Sequence, residues 1–164
     1  MRELVKELDP EIRPVGVFVN APMELVRTLL DDGTLALAQL HGQEDESYIR
    51  ELKTYTDKLI IKAFSIKTAE DIEKALQSPA DYILLDQGGG GTGKTFDWSL
   101  IPEIQRPFFL AGGIGASNLG QAIREIHPYA VDLSSSVETE KRKDPMKIRQ
   151  VVDIVCLLYT SPSP

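Results

Sequence analysis

The stretch Tyr82-Ile83-Leu84-Leu85-Asp86-Gln87-Gly88-Gly89-Gly90-Gly91-Thr92-Gly93-Lys94-Thr95-Phe96-Asp97-Trp98 decides how this chain is read. An apolar run ends on an acid, Asp86, and opens into a loop with five glycines. A buried strand that hands over to a glycine loop through a carboxylate is a common builder of α/β active sites. Residues 88–95 also satisfy the phosphate-cradle pattern G-x-x-x-x-G-K-[ST] letter for letter. The same residues therefore support two enzymes, one built on Asp86 and one a P-loop nucleotide hydrolase.

Outward from this stretch, short aliphatic or β-branched runs recur at residues 14–20, 35–40, 59–64, 108–112 and 129–133. Most intervals between them hold a segment with helical periodicity. Residues 22–30 begin with a proline suited to a first helical turn and are followed by Gly33. Residues 68–76 open like a capping box, Thr68 facing Asp71 where a glutamate is usual. Residues 117–126 and 144–155 are further helix candidates, and residues 1–8 read as an amphipathic helix. Six β/α units in a row imply a parallel sheet, either doubly wound or an incomplete (β/α)8 TIM barrel. Past Val155 the helical pattern stops, and Cys156-Leu157-Leu158-Tyr159-Thr160-Ser161-Pro162-Ser163-Pro164 is expected to be a non-native tail. The domain is thus expected over residues 1–155 and the tail over 156–164.

Composition narrows the function classes. The 164 residues carry a net charge of −7, which offers no basic stripe for nucleic acid. No apolar run approaches the roughly 20 residues that span a bilayer. Only one cysteine is present, so no intrachain disulfide forms and a reducing, cytoplasmic setting is the expectation. A small anionic ligand stays compatible with this balance.

In a parallel sheet the C-terminal strand ends share one face, where ligands bind. Those ends carry Asn20, His41, Lys62, Asp86, Gly112 with Gly113, and Asp132 with Ser134-Ser135-Ser136. Asp86 would be half-buried, and desolvation should raise its pKa and suit it to general acid work; the alternative is an acid that caps a loop amide. His41 either meets a ligand or satisfies backbone carbonyls. Gly112-Gly113-Ile114-Gly115 and Ser134-Ser135-Ser136 offer amides and hydroxyls from consecutive loops, a setting for phosphate; the alternative is a pair of tight turns. Against the nucleotide reading, Asp97 looks like a helix cap and Pro102 keeps the following helix short, whereas a Walker loop wraps a substantial helix. A mobile lid carrying Lys94 fits these residues better.

These blocks are recognisable as a set. Leu84-Leu85-Asp86 with the glycine loop and Gly93-Lys94-Thr95-Phe96-Asp97-Trp98 resembles the signature of phosphoribosylanthranilate isomerases of tryptophan biosynthesis. Val15-Gly16-Val17-Phe18-Val19-Asn20, Ala38-Gln39-Leu40-His41-Gly42, Ala111-Gly112-Gly113-Ile114 and Val131-Asp132-Leu133-Ser134-Ser135-Ser136-Val137-Glu138 match that family in the same order. The resemblance implies a (β/α)8 barrel whose strands three to eight are present, the earlier ones lying before Met1. It implies an Amadori rearrangement of N-(5-phosphoribosyl)anthranilate to 1-(2-carboxyphenylamino)-1-deoxyribulose 5-phosphate, without metal or organic cofactor. Asp86 aligns with the family's general acid. Gly112, Gly113, Ser134 and Ser135 would bind the substrate phosphate, Asp132 would lie beside the site, and His41 and Lys94 are softer transfers. The family's base, a cysteine in a Lys-Ile-Cys-Gly block, and its carboxylate-binding arginine have no counterpart here, so this fragment is expected to be inactive alone; the alternatives are a P-loop nucleotide hydrolase and a non-catalytic phosphosugar-binding module. The resemblance also implies a small phosphosugar-anthranilate substrate as partner, in a family mostly monomeric or fused to another enzyme of the pathway.

Overall fold

The computed structural model describes residues 2–87 and 97–160. Helix α1 spans Arg2–Lys6, followed by β1 (Val15–Phe18), α2 (Met23–Asp31), β2 (Leu37–Leu40), α3 (Glu46–Tyr55) and β3 (Leu59–Ser65). Then come α4 (Ala69–Leu76), β4 (Tyr82–Asp86), β5 (Phe108–Leu110), α5 (Leu119–Ile126), β6 (Ala130–Val131), β7 (Glu138–Thr139), β8 (Arg142–Lys143) and α6 (Pro145–Thr160). Strands β1 to β6 form one sheet in strict sequence order, while β7 and β8 make a separate antiparallel pair. A doubly wound sheet would reverse its order at a switch point. Consecutive parallel order is that of a barrel wall, so the fold is α/β with six units of a (β/α)8 barrel. By contacts the chain divides into two compact units, Met1–Ala63 with Ala75–Ile83, and Phe64–Lys74 with Leu84–Pro164.

In the first unit β1, β2 and β3 pair in parallel, with Gly16 opposite Ala38 and Ala38 opposite Ile60. Alternation of side chains sets the faces. Phe18, Ala38, Leu40 and Ile60 turn to one side and pack with Val26 and Leu30 of α2 and Ile49 and Leu52 of α3. Val15, Val17 and Val19 turn to the other, and Val17 is 61% exposed on this edge strand. Helix α2 starts at Pro22, whose carbonyl accepts from the amides of Leu25 and Val26, and Gly33 with φ of 75° follows its end as the sequence implies. Helix α3 is absent from the sequence expectations. Its signals are short-range but quiet: Asp45 accepts the Tyr48 amide at 2.9 Å as N-cap, and only Ile49 and Leu52 of the helix are fully buried. Helix α1 is shorter than expected and buries none of its residues.

In the second unit half of the capping box is present: Asp71 accepts the amides of Lys67 and Thr68 at 3.0 Å each, while its own amide donates to the Thr68 carbonyl rather than to the hydroxyl. Helix α5 buries Leu119, Ala122 and Ile123, the i, i+3, i+4 stripe of an amphipathic helix, and packs on α6. The expected stop at Val155 is corrected: α6 runs on through Cys156 to Thr160. Nothing between 156 and 160 breaks a helix, since the first proline of the tail is Pro162. The Tyr159 hydroxyl donates to the Pro128 carbonyl at 2.6 Å, tying the last turn down. Residues 161–164 lie outside the described residues.

Candidate functional site

Two sets of strand ends carry the chemistry-bearing residues, one in each unit. In the first, the chain leaves β1 and turns at Asn20, held with φ of 52° in the left-handed region that asparagine tolerates better than most residues. Its amide donates to Glu44 Oε1 at 2.6 Å, and its Oδ1 accepts the Gln43 amide at 2.6 Å. Gly42 lets this close approach happen, because a Cβ there would sit 2.5 Å from Asn20 Oδ1. Glu44 accepts the Gly42 amide at 2.9 Å and Lys62 Nζ at 3.0 Å. Lys62 also donates to the Gly42 carbonyl at 2.7 Å and more loosely to that of Leu40. Side chains of this pair are 7% and 2% exposed for Lys62 and Glu44.

Burial alone would push the Glu44 carboxyl up. Hydrogen bonds from its own amide, from Lys62 and from the Asn20 amide outweigh that, and the group is held below its ordinary value of 4.5. Lys62 is thus a strut with its ammonium satisfied by two carbonyls and a carboxylate. Glu44, which the sequence reading passes over, is the organiser of this end. His41 follows β2 on the same side as Gln39, is half-buried, and donates its amide to the Phe18 carbonyl at 2.7 Å.

In the second unit β4 ends on Asp86, half-buried as expected. Its carbonyl accepts the Ile66 amide at 2.7 Å, and the Leu85 carbonyl accepts the Ala111 amide at 2.8 Å, which fixes the strand end against the loop after β5. That loop turns on Gly112 and Gly113, with φ of 82° and 69°. A Cβ on Gly112 would lie 2.6 Å from Asp86 Oδ1 and 2.6 Å from the Gln87 amide nitrogen. The carboxylate therefore reaches this loop only because residue 112 is glycine. Asn118 then locks the turn, accepting the Gly115 amide at 2.9 Å and donating to the Gly113 carbonyl at 3.1 Å.

The loop after β6 comes against the same place: a Cβ on Gly115 would be 3.0 Å from that of Ser136. Ser134, Ser135 and Ser136 are exposed, and Asp132 is half-buried, its amide donating to the Leu110 carbonyl at 2.9 Å. Lys143 on β8, which the sequence gives no reason to single out, donates to the Ser134 carbonyl at 2.9 Å and to Glu138 at 2.8 Å. So Asp86, Gly112, Gly113 and the serine loop belong to one unit, with a carboxylate, two left-handed glycines and a row of hydroxyls close together. Asn20 and His41 belong to the other. Lys94 and the glycine loop lie outside the described residues. Among the described residues no group of three or more His, Cys, Asp and Glu could hold a metal ion, and no helix is long and apolar enough to cross a membrane.

Asp97 does cap as expected, but what it caps is a single 3-10 turn, Trp98–Leu100, with its carboxylate accepting the Ser99 amide at 3.0 Å. A phosphate cradle needs a helix there. The family comparison decides the matter. Residues 1–154 match the model of N-(5'-phosphoribosyl)anthranilate (PRA) isomerase. This chain belongs to that family. The N-(5'-phosphoribosyl)anthranilate isomerase of Endomicrobium trichonymphae is 45% identical over 152 residues, covering 90% of this chain and 74% of the relative. The crystal structure of phosphoribosyl anthranilate isomerase from Thermotoga maritima superimposes with a TM-score of 0.81 at 37% identity, over 93% of this chain and 77% of the other. A family structure in complex with reduced 1-(o-carboxyphenylamino)-1-deoxyribulose 5-phosphate gives 0.78 at 34%, over 93% and 75%. An isomerase family with this strand order leaves no place for the nucleotide-hydrolase reading.

Proposed function

We propose that the chain carries the acid and phosphate half of a phosphoribosylanthranilate isomerase site, which rearranges N-(5-phosphoribosyl)anthranilate to 1-(2-carboxyphenylamino)-1-deoxyribulose 5-phosphate. The observation that carries this is Asp86, a half-buried carboxylate at a strand end whose Oδ1 lies against Gly112. The rearrangement needs a proton delivered to the furanose oxygen so that the ring opens to a Schiff base. It then needs a proton removed from the adjacent carbon. Asp86 is the donor in this reading. Gly112, Gly113, Ser134 and Ser135 take the phosphate through amides and hydroxyls, with Asp132 beside them and Lys143 supplying positive charge at the Ser134 carbonyl. His41 and Lys94 remain candidates on the family resemblance alone.

The proton-abstracting base of the family is a cysteine, and the single cysteine here, Cys156, is exposed on α6. The chain by itself is therefore expected to bind product but not to turn substrate over. Titration of the chain with the reduced carboxyphenylamino-deoxyribulose phosphate, followed by amide chemical shifts, tests this. Shifts centred on residues 112–115 and 134–136 support the reading; shifts elsewhere, or turnover near that of a full-length relative, overturn it. A cytoplasmic setting, and a chain that is monomeric or fused to another enzyme of tryptophan biosynthesis, go with the same proposal and are read out by fractionation and by mass in solution.

A further inference from the structure

We propose that Lys143 is a positioning residue for the serine loop: its ammonium pins the Ser134 carbonyl and polarises the Ser134–Ser135 peptide, making the Ser135 amide a stronger donor to an anionic oxygen of the bound phosphosugar. This rests on the reading of that loop as the phosphate-taking element. Lys143 Nζ lies 2.9 Å from the Ser134 carbonyl oxygen and 3.5 Å from the Ser134 hydroxyl. A peptide C=O and the N–H that follows it form one conjugated group, so a cation on the oxygen draws electron density from the nitrogen. The N–H that gains is that of Ser135. The Val137 amide turns back to the Ser134 carbonyl and the Glu138 amide to that of Ser135. Among the described residues, no backbone carbonyl takes the amides of Ser135 and Ser136.

A strained hairpin aims the lysine. Glu138 and Lys143 are direct cross-strand partners in the β7–β8 pair, and their side chains meet at 2.8 Å. Between the strands lie Glu140 and Lys141, with φ of 51° and 63°. A hairpin connection with left-handed φ at both places is the natural ground of asparagine and glycine, not of these residues. A lone two-stranded hairpin is also marginal in water. This one is fastened to α6 and the residue before it. The Asp144 amide donates to the Val137 carbonyl at 2.9 Å, the Thr139 hydroxyl to Asp144 Oδ2 at 2.6 Å, and Lys147 Nζ to the Glu138 carbonyl at 2.6 Å. Such strain persists only where the surroundings over-determine it. The Lys143 side chain is 53% exposed, and an exposed ion pair adds little to stability. Its role therefore lies in the loop that it holds.

Titration with the reduced carboxyphenylamino-deoxyribulose phosphate, followed by amide shifts, tests this in the wild type, Lys143→Met and Lys143→Arg. Methionine removes the charge and the donors, so affinity for the analogue should fall about five- to tenfold, the gap between a charge-assisted and a neutral hydrogen bond. Arginine should recover most of it. Without ligand, the Ser135 amide proton should move upfield in Lys143→Met and return in Lys143→Arg, which a loss of packing would not do. Wild-type affinity in Lys143→Met, an unmoved Ser135 proton, or a loss that arginine leaves unrepaired overturns the proposal. Should Lys143→Met fail to fold, Lys143→Gln, which keeps a neutral donor, takes its place and the same results decide. The two layers separate. If residues 134–136 of the wild type ignore the analogue, the phosphate reading fails and the ligand role of Lys143 with it. The Ser135 shift in the free variants then reports the polarisation by itself.

Discussion

The strand ends of the two units solve opposite problems with similar materials. At the ends of β1, β2 and β3 a carboxylate and an ammonium are buried together, and Glu44 and Lys62 bond to each other and to amides and carbonyls of the segments that follow β1 and β2. At the ends of β4 and β5 the carboxylate is only half-buried and the neighbouring residues are glycines in left-handed conformations, with exposed serines after β6. The first arrangement encloses charged groups among backbone partners; the second leaves its carboxylate and hydroxyls partly or fully exposed. An ionisable residue at a strand end is thus no sign of catalysis until its partners are counted.

The sharpest way to break this contrast is Asp86→Asn in a version of the chain fused to a family member's cysteine-bearing first strands. The turnover rate should fall by about 10²–10⁴-fold, the usual worth of a positioned acid, while binding of the product analogue persists. A mild loss would make Asp86 as structural as Glu44. Next in size, Lys62→Met should destabilise the fold by about 3–5 kcal/mol in urea titration, because it strands a buried carboxylate. Retained stability would mean that the network around Glu44 and Lys62 is looser than its geometry. Gly112→Ala should cost about 1–3 kcal/mol for a left-handed residue and should also disturb Asp86, since the new Cβ would meet its Oδ1. An alanine variant with full stability and full analogue binding would break the claim that this turn shapes the site.

The smallest effect is the one from pH. The folded Glu44 carboxyl lies below its ordinary value of 4.5, so its contribution is fully present above that pH. It is lost as pH falls from there through the depressed folded value. The denaturation midpoint of the wild type should therefore drop across that acid range more steeply than that of Glu44→Gln. Parallel curves for the two proteins would show that the amides of Asn20 and Gly42 do not hold the carboxylate as described.

Much of this was legible along the chain because it depends on near neighbours. The apolar run 82–86 is a strand with the predicted bounds, Asp71 caps α4 from three residues away, and Asp97 ends the glycine segment as a cap. Capping and alternation are set within a turn or two of backbone. Glu44 was not legible: a glutamate after Gly42-Gln43 looks solvated until Lys62, 18 residues on, is folded beneath it. Lys143 escaped for a related reason, since its place beside Ser134 depends on the short β7–β8 hairpin. The end of α6 was misjudged because a change in composition at Cys156 is not a helix breaker, and the helix simply continues.

The sequence by itself determined the β/α rhythm, the family, and Asp86 at the end of its strand, all of which follow from local periodicity and residues in fixed order. Only the tertiary structure decided that Glu44 and Lys62 are enclosed together while Asp86 stays half-buried beside the Gly112 loop. That difference rests on residues far apart in the chain, and burial sets the condition: a charge can be enclosed where hydrogen bonds and an opposite charge meet it.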